Sequence, residues 1–177
     1  ISSLASNRQL FITTHSSFVL NRLGLESLHL VHDANIAQLD TSYISEDTIR
    51  YFQKQSGYDT LRLATATKVV VVEGPSDEMI FNLAYKSQHG VEPRDNGIDV
   101  ITLGTRGKRA LELGKALGRK MAVLRDNDGK EPSHWIAAAE QFIEPGRREL
   151  FIGEKSLGNT LEPQVANTAD NANLLRA

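Results

Sequence analysis

With 177 residues, 40% of them hydrophobic and 24% charged, the chain has material for one domain with an ordinary core plus a remainder. Twenty basic and 22 acidic side chains leave a net charge of −2, which excludes a uniformly basic nucleic-acid coat protein but allows a local basic patch. The absence of cysteine removes disulfides, thiolate zinc sites and cysteine nucleophiles and fits a reducing, cytoplasmic setting, and no apolar run reaches the roughly 18 residues of a membrane span.

In chain order, residues 9–14 read as a short buried strand, followed by His15 and a short helix capped by Ser16 or Ser17. Residues 27–32 alternate like a half-buried strand, and residues 36–39 pair with it through an Asp33-Ala34-Asn35 turn. Residues 46–55 are helical behind Ser45, and Ser56-Gly57-Tyr58-Asp59 breaks the pattern, so a boundary is expected near residues 56–63. The rhythm then becomes strand, helix, strand, helix. Residues 68–72, Lys-Val-Val-Val-Val, have the β-branched run of a strand buried on both faces. A helix over 77–87 should turn Met79, Ile80, Leu83 and Ala84 inward. Strands follow at 98–103, 120–124 and 149–152, with helices at 107–117 and 133–143, and the tail from Asn167 reads as frayed. Such alternation implies an α/β layer with a parallel sheet and right-handed crossovers.

The carboxylates fall at telling positions. Glu73 ends the first strand of the α/β unit, while Asp126 and Asp128 end the third, about 50 residues later. Ligands of open parallel sheets bind outside the carboxyl ends of the strands, so these acids should share one rim. Asp77, four residues after Glu73, returns to the same mouth from the first turn of the helix, where helix capping is the competing explanation. Crowded carboxylates raise one another's pKa, and a hard divalent cation such as Mg²⁺ or Mn²⁺ resolves the conflict through oxygen ligands. Gly74 and Gly129 allow sharp turns beside such a site.

Val70-Val71-Val72-Glu73-Gly74-Pro75-Ser76-Asp77, followed by strand-terminal Asp126-Asn127-Asp128, resembles the Toprim domain of topoisomerases, primases and several nucleases. The Glu-Gly-Pro-Ser-acid variant is similar to that of the overcoming-lysogenisation-defect (OLD) family of ATP-dependent nucleases, in which a Toprim domain follows an ABC-type ATPase. Leu10-Phe11-Ile12-Thr13-Thr14-His15-Ser16 resembles the last segment of such an ATPase, which would make His15 the sensor of the ATP γ-phosphate. The resemblance implies two units: residues 1–62 as the end of the ABC-type ATPase domain and residues 63–177 as a Toprim nuclease domain, a Rossmann-like parallel sheet flanked by helices. Thr160-Leu161-Glu162 is similar to the family's late acidic motif, adding Glu162 to the metal set. No G-x-x-x-x-G-K-[ST] occurs, so an ATP site would lie in the upstream ATPase. Asp77 stands where the family more often has a glutamate.

On this resemblance the chemistry is phosphodiester hydrolysis of DNA by two Mg²⁺ or Mn²⁺ ions about 3.5–4 Å apart. Glu73, Asp126 and Asp128 would hold one ion, and Asp77 with Glu162 would help place the other. A homodimer through the ATPase domain and phage-defence work are further implications. Residues 106–120 carry six basic side chains and one acid, with Lys108, Glu112, Lys115 and Arg119 on one arc at helical spacing. Arg106, Lys108, Arg109, Lys115 and Arg119 are therefore candidate phosphate contacts, although an ordinary solvated helix face has the same appearance. The main alternative is a Toprim fold that binds an ion or DNA without cutting. A topoisomerase or primase would need a catalytic tyrosine in context or a zinc module, and neither is legible here.

Overall fold

The computed structural model describes residues 11–14, 16, 19, 28–32, 35–54, 58–168 and 171. His15 and most of the helix expected after it lie outside these residues. Residues 11–14 are irregular, and Phe11 is 81% exposed, so they do not form the expected buried strand. An apolar tetrapeptide becomes a strand only beside a partner, and no strand among the described residues pairs with it.

Strands β1 (His29–His32) and β2 (Asn35–Gln38) form an antiparallel ribbon with Val31 opposite Ile36, as the alternation predicts. Helix α1 (Glu46–Lys54) starts behind Ser45, whose hydroxyl accepts from the Thr48 amide at 3.3 Å. The expected break is largely a second helix, α2 (Tyr58–Thr65), whose Leu63 is wholly buried. Ser56-Gly57 drew attention to a turn, but the apolar spacing of Leu61, Leu63 and Ala64 behind it carries a helix.

Next come β3 (Lys68–Val72), α3 (Pro75–His89), β4 (Ile98–Thr102), α4 (Gly107–Ala116), β5 (Lys120–Arg125), α5 (Pro132–Ala139), β6 (Arg148–Ile152) and α6 (Leu161–Asn167). The last of these lies where no helix was expected. The four sheet strands are parallel in the order β4-β3-β5-β6, with Val70 beside Val100 and Ala122. From β3 the chain steps outward to β4, then crosses back over β3 to β5. The crevice between β3 and β5 is thus the point where the winding reverses, and their carboxyl ends are where an open α/β sheet presents its ligand site.

Alternate residues feed two faces. Val69, Val71, Ile101, Met121 and Val123 join Leu111 and Leu113 of α4, Phe52 of α1 and Leu63 of α2 in the main core. Leu39 and Ile44 belong to the same cluster, so the segment before α1 packs on the sheet too. The other face has a smaller cluster of Val70, Val72 and Val100, with Phe81 of α3 against it. The inward face of α3 departs from expectation. Phe81 packs on the sheet and Ile80 and Tyr85 are half-buried, while Met79 and Leu83 are 58% and 60% exposed and Ala84 is exposed. Tyr85 stacks near Phe81 and His89, and Glu78 accepts from the Thr102 hydroxyl at 3.0 Å, which fixes the helix with this rotation.

Helix α4 lies close against β5: a Cβ on Gly107 would stand 2.4 Å from Val123 Cγ1. That close approach accounts for the glycine. Thr168 and Asn171, within the tail expected to fray, bond back to Gln164 and Val165 carbonyls; most of that tail lies outside the described residues. Among the described residues no helix is long and apolar enough to cross a membrane.

Candidate functional site

The acids of distant segments share the rim at the ends of β3 and β5. Glu73 follows β3, and its carbonyl accepts from the Gly104 amide at 3.0 Å, tying this end to the loop after β4. Asp126 and Asp128 follow β5. Asp77 and Asp128 lie near enough to Glu73 and Asp126 to act on both carboxyls. Burial pushes the Glu73 carboxyl up to about 7; the Arg125 guanidinium opposes the shift, while Asp128, Asp126 and Asp77 add to it. Burial also raises Asp126, reinforced by Asp77, Asp128 and Glu162 and opposed by the Leu161 backbone amide that bonds to it.

Two acids reach the rim by routes that the sequence only partly disclosed. Asp77 Oδ2 accepts from the Gly74 amide at 2.9 Å, so the capping explanation holds for one of its oxygens while the side chain still faces Asp126. Glu162 arrives on α6, where the Thr160 hydroxyl donates to its Oε2 at 3.0 Å.

Three residues that sequence reasoning passed over build the scaffold. Arg125, the last residue of β5, spans the site. Its Nη2 donates to Asp128 Oδ2 at 2.7 Å, its Nη1 to the Thr105 carbonyl at 3.1 Å, and its Nε lies 3.7 Å from Glu73 Oε1. The guanidinium stacks on Trp135 of α5 with Cζ 3.6 Å from the ring centroid. Trp135 Nε1 in turn donates to the Asn127 carbonyl at 2.9 Å. Asn127 is completely buried: its Nδ2 donates to the carbonyls of Gly153 and Gly158 at 3.1 and 2.6 Å, and its Oδ1 accepts from the Gly129 amide at 2.8 Å. Asp128 and Gly129 then turn with φ of 51° and 76°, a left-handed pair that suits a glycine in second place. The asparagine between two candidate ligands and the sole tryptophan were the available signals, but their burial was not visible in the sequence.

The donor chemistry fits a hard divalent cation. All five candidate ligands are carboxylates, and Glu73 Oε1 is buried without a hydrogen-bond partner. The side chains line the rim without converging on a point: among the described residues no three acidic or imidazole groups stand close enough to hold one ion. Arg125 occupies the space between Glu73 and Asp128, and side-chain rotation would be needed to bring three carboxylates together.

The expected basic face is altered more strongly. Glu112 is 4% exposed and accepts from both the amide and the hydroxyl of Ser45, so it does not lie on an open arc. Lys115 donates to the Gln141 carbonyl at 2.8 Å and sits over the Tyr43 ring, and Arg119 donates to the Ala64 carbonyl at 2.6 Å. Both are committed to the chain's own backbone, because the 41–43 and 140–142 segments, with α1 and α2, pack on the helix that spacing alone would leave to solvent. Arg106 and Lys108 remain exposed, and Arg109 is half-buried.

Residues 65–128 match the family described as overcoming lysogenization defect protein-like, TOPRIM domain. The match spans Glu73, Asp77, Asp126 and Asp128 and ends before Glu162. No curated protein and no solved structure matches the chain. A four-stranded parallel sheet flanked by helices is the architecture consistent with a Toprim fold, and the match supports a Toprim domain over those residues. That domain suggests a metal-binding role of nuclease or primase type, in an enzyme acting on nucleic acid.

Proposed function

We propose that the chain cleaves phosphodiester bonds of DNA with Mg²⁺ or Mn²⁺, as the Toprim part of an OLD-type nuclease coupled to an upstream ABC-type ATPase. The observation that carries this reading is the gathering of Glu73, Asp77, Asp126, Asp128 and Glu162 at the switch point of a parallel sheet, with one Glu73 oxygen buried without a hydrogen bond and 3.7 Å from the Arg125 Nε. Glu73, Asp126 and Asp128 would hold one cation and Asp77 with Glu162 would help place a second; such ions supply a water acidic enough to ionise near neutral pH and neutralise charge on the scissile phosphate.

The protein's own groups do the rest. Asn127 fixes the Asp126–Asp128 loop against the ends of β6 and the 158 turn, so the two aspartates present their oxygens from a rigid backbone. Arg125, held by Trp135, offsets the repulsion between Glu73 and Asp128 and orients both. ATP at the upstream domain, His15 as its sensor, a homodimer through that domain and a cytoplasmic phage-defence setting belong to the same proposal.

Supercoiled plasmid incubated with the protein and Mg²⁺ or Mn²⁺ tests it. Nicked or linear product is expected from wild type, and loss of product from Glu73→Ala and Asp126→Ala; cleavage undiminished in both would remove the assignment. The unconverged carboxylates, with Arg125 among them, favour a second reading in which the fold binds DNA or an ion without cutting. Metal binding by calorimetry, with intact plasmid at every metal tried, would select that alternative.

A further inference from the structure

Helices α1 and α4 face one another across a cleft of about 460 Å³ lined by Asp47, Arg50, Tyr51, Lys54, Arg106 and Arg109. We infer that this cleft binds the phosphodiester backbone of a nucleic-acid strand and leads it to the acid rim, a path that rests on the proposed cleavage at that rim. The lining carries four cations against one carboxylate, a polar composition unlike the apolar lining usual for small-molecule sites. Two guanidiniums lie over one ring: Arg106 Cζ and Arg109 Cζ are 4.7 and 5.0 Å from the Tyr51 centroid. Tyr51 thereby sets the spacing of two like charges whose mutual repulsion a polyanion relieves.

The cations differ in how far they are engaged. Arg109 Nη1 donates to the Asp47 carbonyl at 3.1 Å, which fixes α4 to α1, and Arg50 pairs with Glu46 at 2.8 Å on the outer side. Lys54 and Arg106 are exposed. The cleft adjoins the acids through a short chain of contacts. Arg106 follows Thr105, whose carbonyl accepts from Arg125, and Arg125 bonds Asp128. A strand seated on Arg106 and Lys54 would therefore continue toward Glu73 and Asp126. The arrangement also assigns α1 a substrate role, since two of the four cations come from it and two from α4 and the turn before it.

The test uses fluorescence anisotropy with a labelled single-stranded oligonucleotide and its duplex, in EDTA so that no cutting intervenes. The double charge reversal Lys54→Glu with Arg106→Glu should weaken binding by roughly tenfold or more and flatten the dependence of log K on log salt by about one to two, the scale of one to two lost phosphate contacts. The corresponding Gln variants should fall between, with the wild-type melting temperature, which separates lost charge from lost folding. Lys120→Glu, at the opposite end of the sheet, should leave affinity within about twofold. Wild-type affinity in the double reversal, an equal loss in Lys120→Glu, or displacement of the strand by ATP or polyaspartate at matched charge would each overturn the cleft assignment. Plasmid cutting separates the two readings. Cutting at full rate in the double reversal removes the cleft and leaves the nuclease, whereas strand binding through these residues by a protein that never cuts removes the nuclease and leaves the cleft.

Discussion

The rim of the sheet has two corners of opposite character. At the ends of β3 and β5, carboxylates crowd together and are partly withdrawn from water, so that Glu73 titrates near 7. Between α1 and α4, guanidinium and ammonium groups stand around Tyr51 at the surface. The difference lies in what each charge costs. Burial, with neighbouring carboxylates adding to it, raises Glu73 and Asp126, whereas the other corner gathers four cations around one ring. One corner is therefore a place where a proton or cation changes the energetics, and the other a permanent electrostatic surface. Thr105, between Arg106 and Arg125's contact, joins them.

Substitutions at the acid corner should separate the two most sharply. Glu73→Gln and Asp126→Asn are expected to lower plasmid cleavage by about a hundredfold or more, the scale of losing charge stabilisation inside an active site, while oligonucleotide affinity in EDTA stays near wild type. If affinity fell in parallel with cleavage, the corners would not be distinct.

Asn127→Ala should cost about 2–3 kcal/mol in urea unfolding, because it deletes two donated bonds and one accepted bond at a site without water access. The same change at exposed Lys54 should be nearly silent in stability. Equal effects would mean that the Asp126–Asp128 loop is held by something other than the buried amide.

The pH dependence has a definite sign. A carboxyl whose pKa is higher folded than unfolded binds its proton better in the folded state, so its penalty is absent below about pH 4.5 and grows as pH rises toward 7. Asp126 shifts in the same direction. The melting temperature should thus fall by a few degrees between pH 5 and 8, and Glu73→Gln should flatten that fall. Mg²⁺ should restore stability at pH 8 in wild type and less in Glu73→Gln, through binding to the folded state alone. Lys54→Gln, at an exposed position away from the acids, should leave the pH profile unchanged.

The smallest effect is expected away from both corners. Leu83→Ser, on the outer side of α3, should change stability by no more than about 0.5 kcal/mol, whereas Leu63→Ala should cost about 2–5 kcal/mol. A large loss at Leu83 would mean that the outer face of α3 is covered in the native protein.

The positions of the four parallel strands, the parallel α/β class and the sharing of one rim by Glu73, Asp126 and Asp128 were legible in the sequence, whereas the strand expected at residues 9–14 was not formed over 11–14. A β-branched run such as residues 68–72 has few alternatives, and the carboxyl ends of parallel strands necessarily share one edge. Gly129, behind Asp126 and Asp128, likewise marks a position free to turn sharply, whereas the left-handed Asp128 before it was not to be expected from the spacing of an extended segment. Local pattern and chain direction were sufficient there.

Tertiary packing decided the rest. Helical periodicity identified a basic arc on α4, but a period cannot say which neighbour covers it; Ser45 before α1 engages Glu112, Gln141 and Tyr43 hold Lys115, and Ala64 of α2 holds Arg119. It also left Met79 and Leu83 outward, because the small second face of the sheet accepts Phe81 of α3 instead. Arg125, Asn127 and Trp135 became a scaffold only when α5 returned over the end of β5, and Tyr51 met Arg106 only when α1 folded across α4. Such contacts join residues far apart in the chain, whose side-chain directions no short window of sequence specifies.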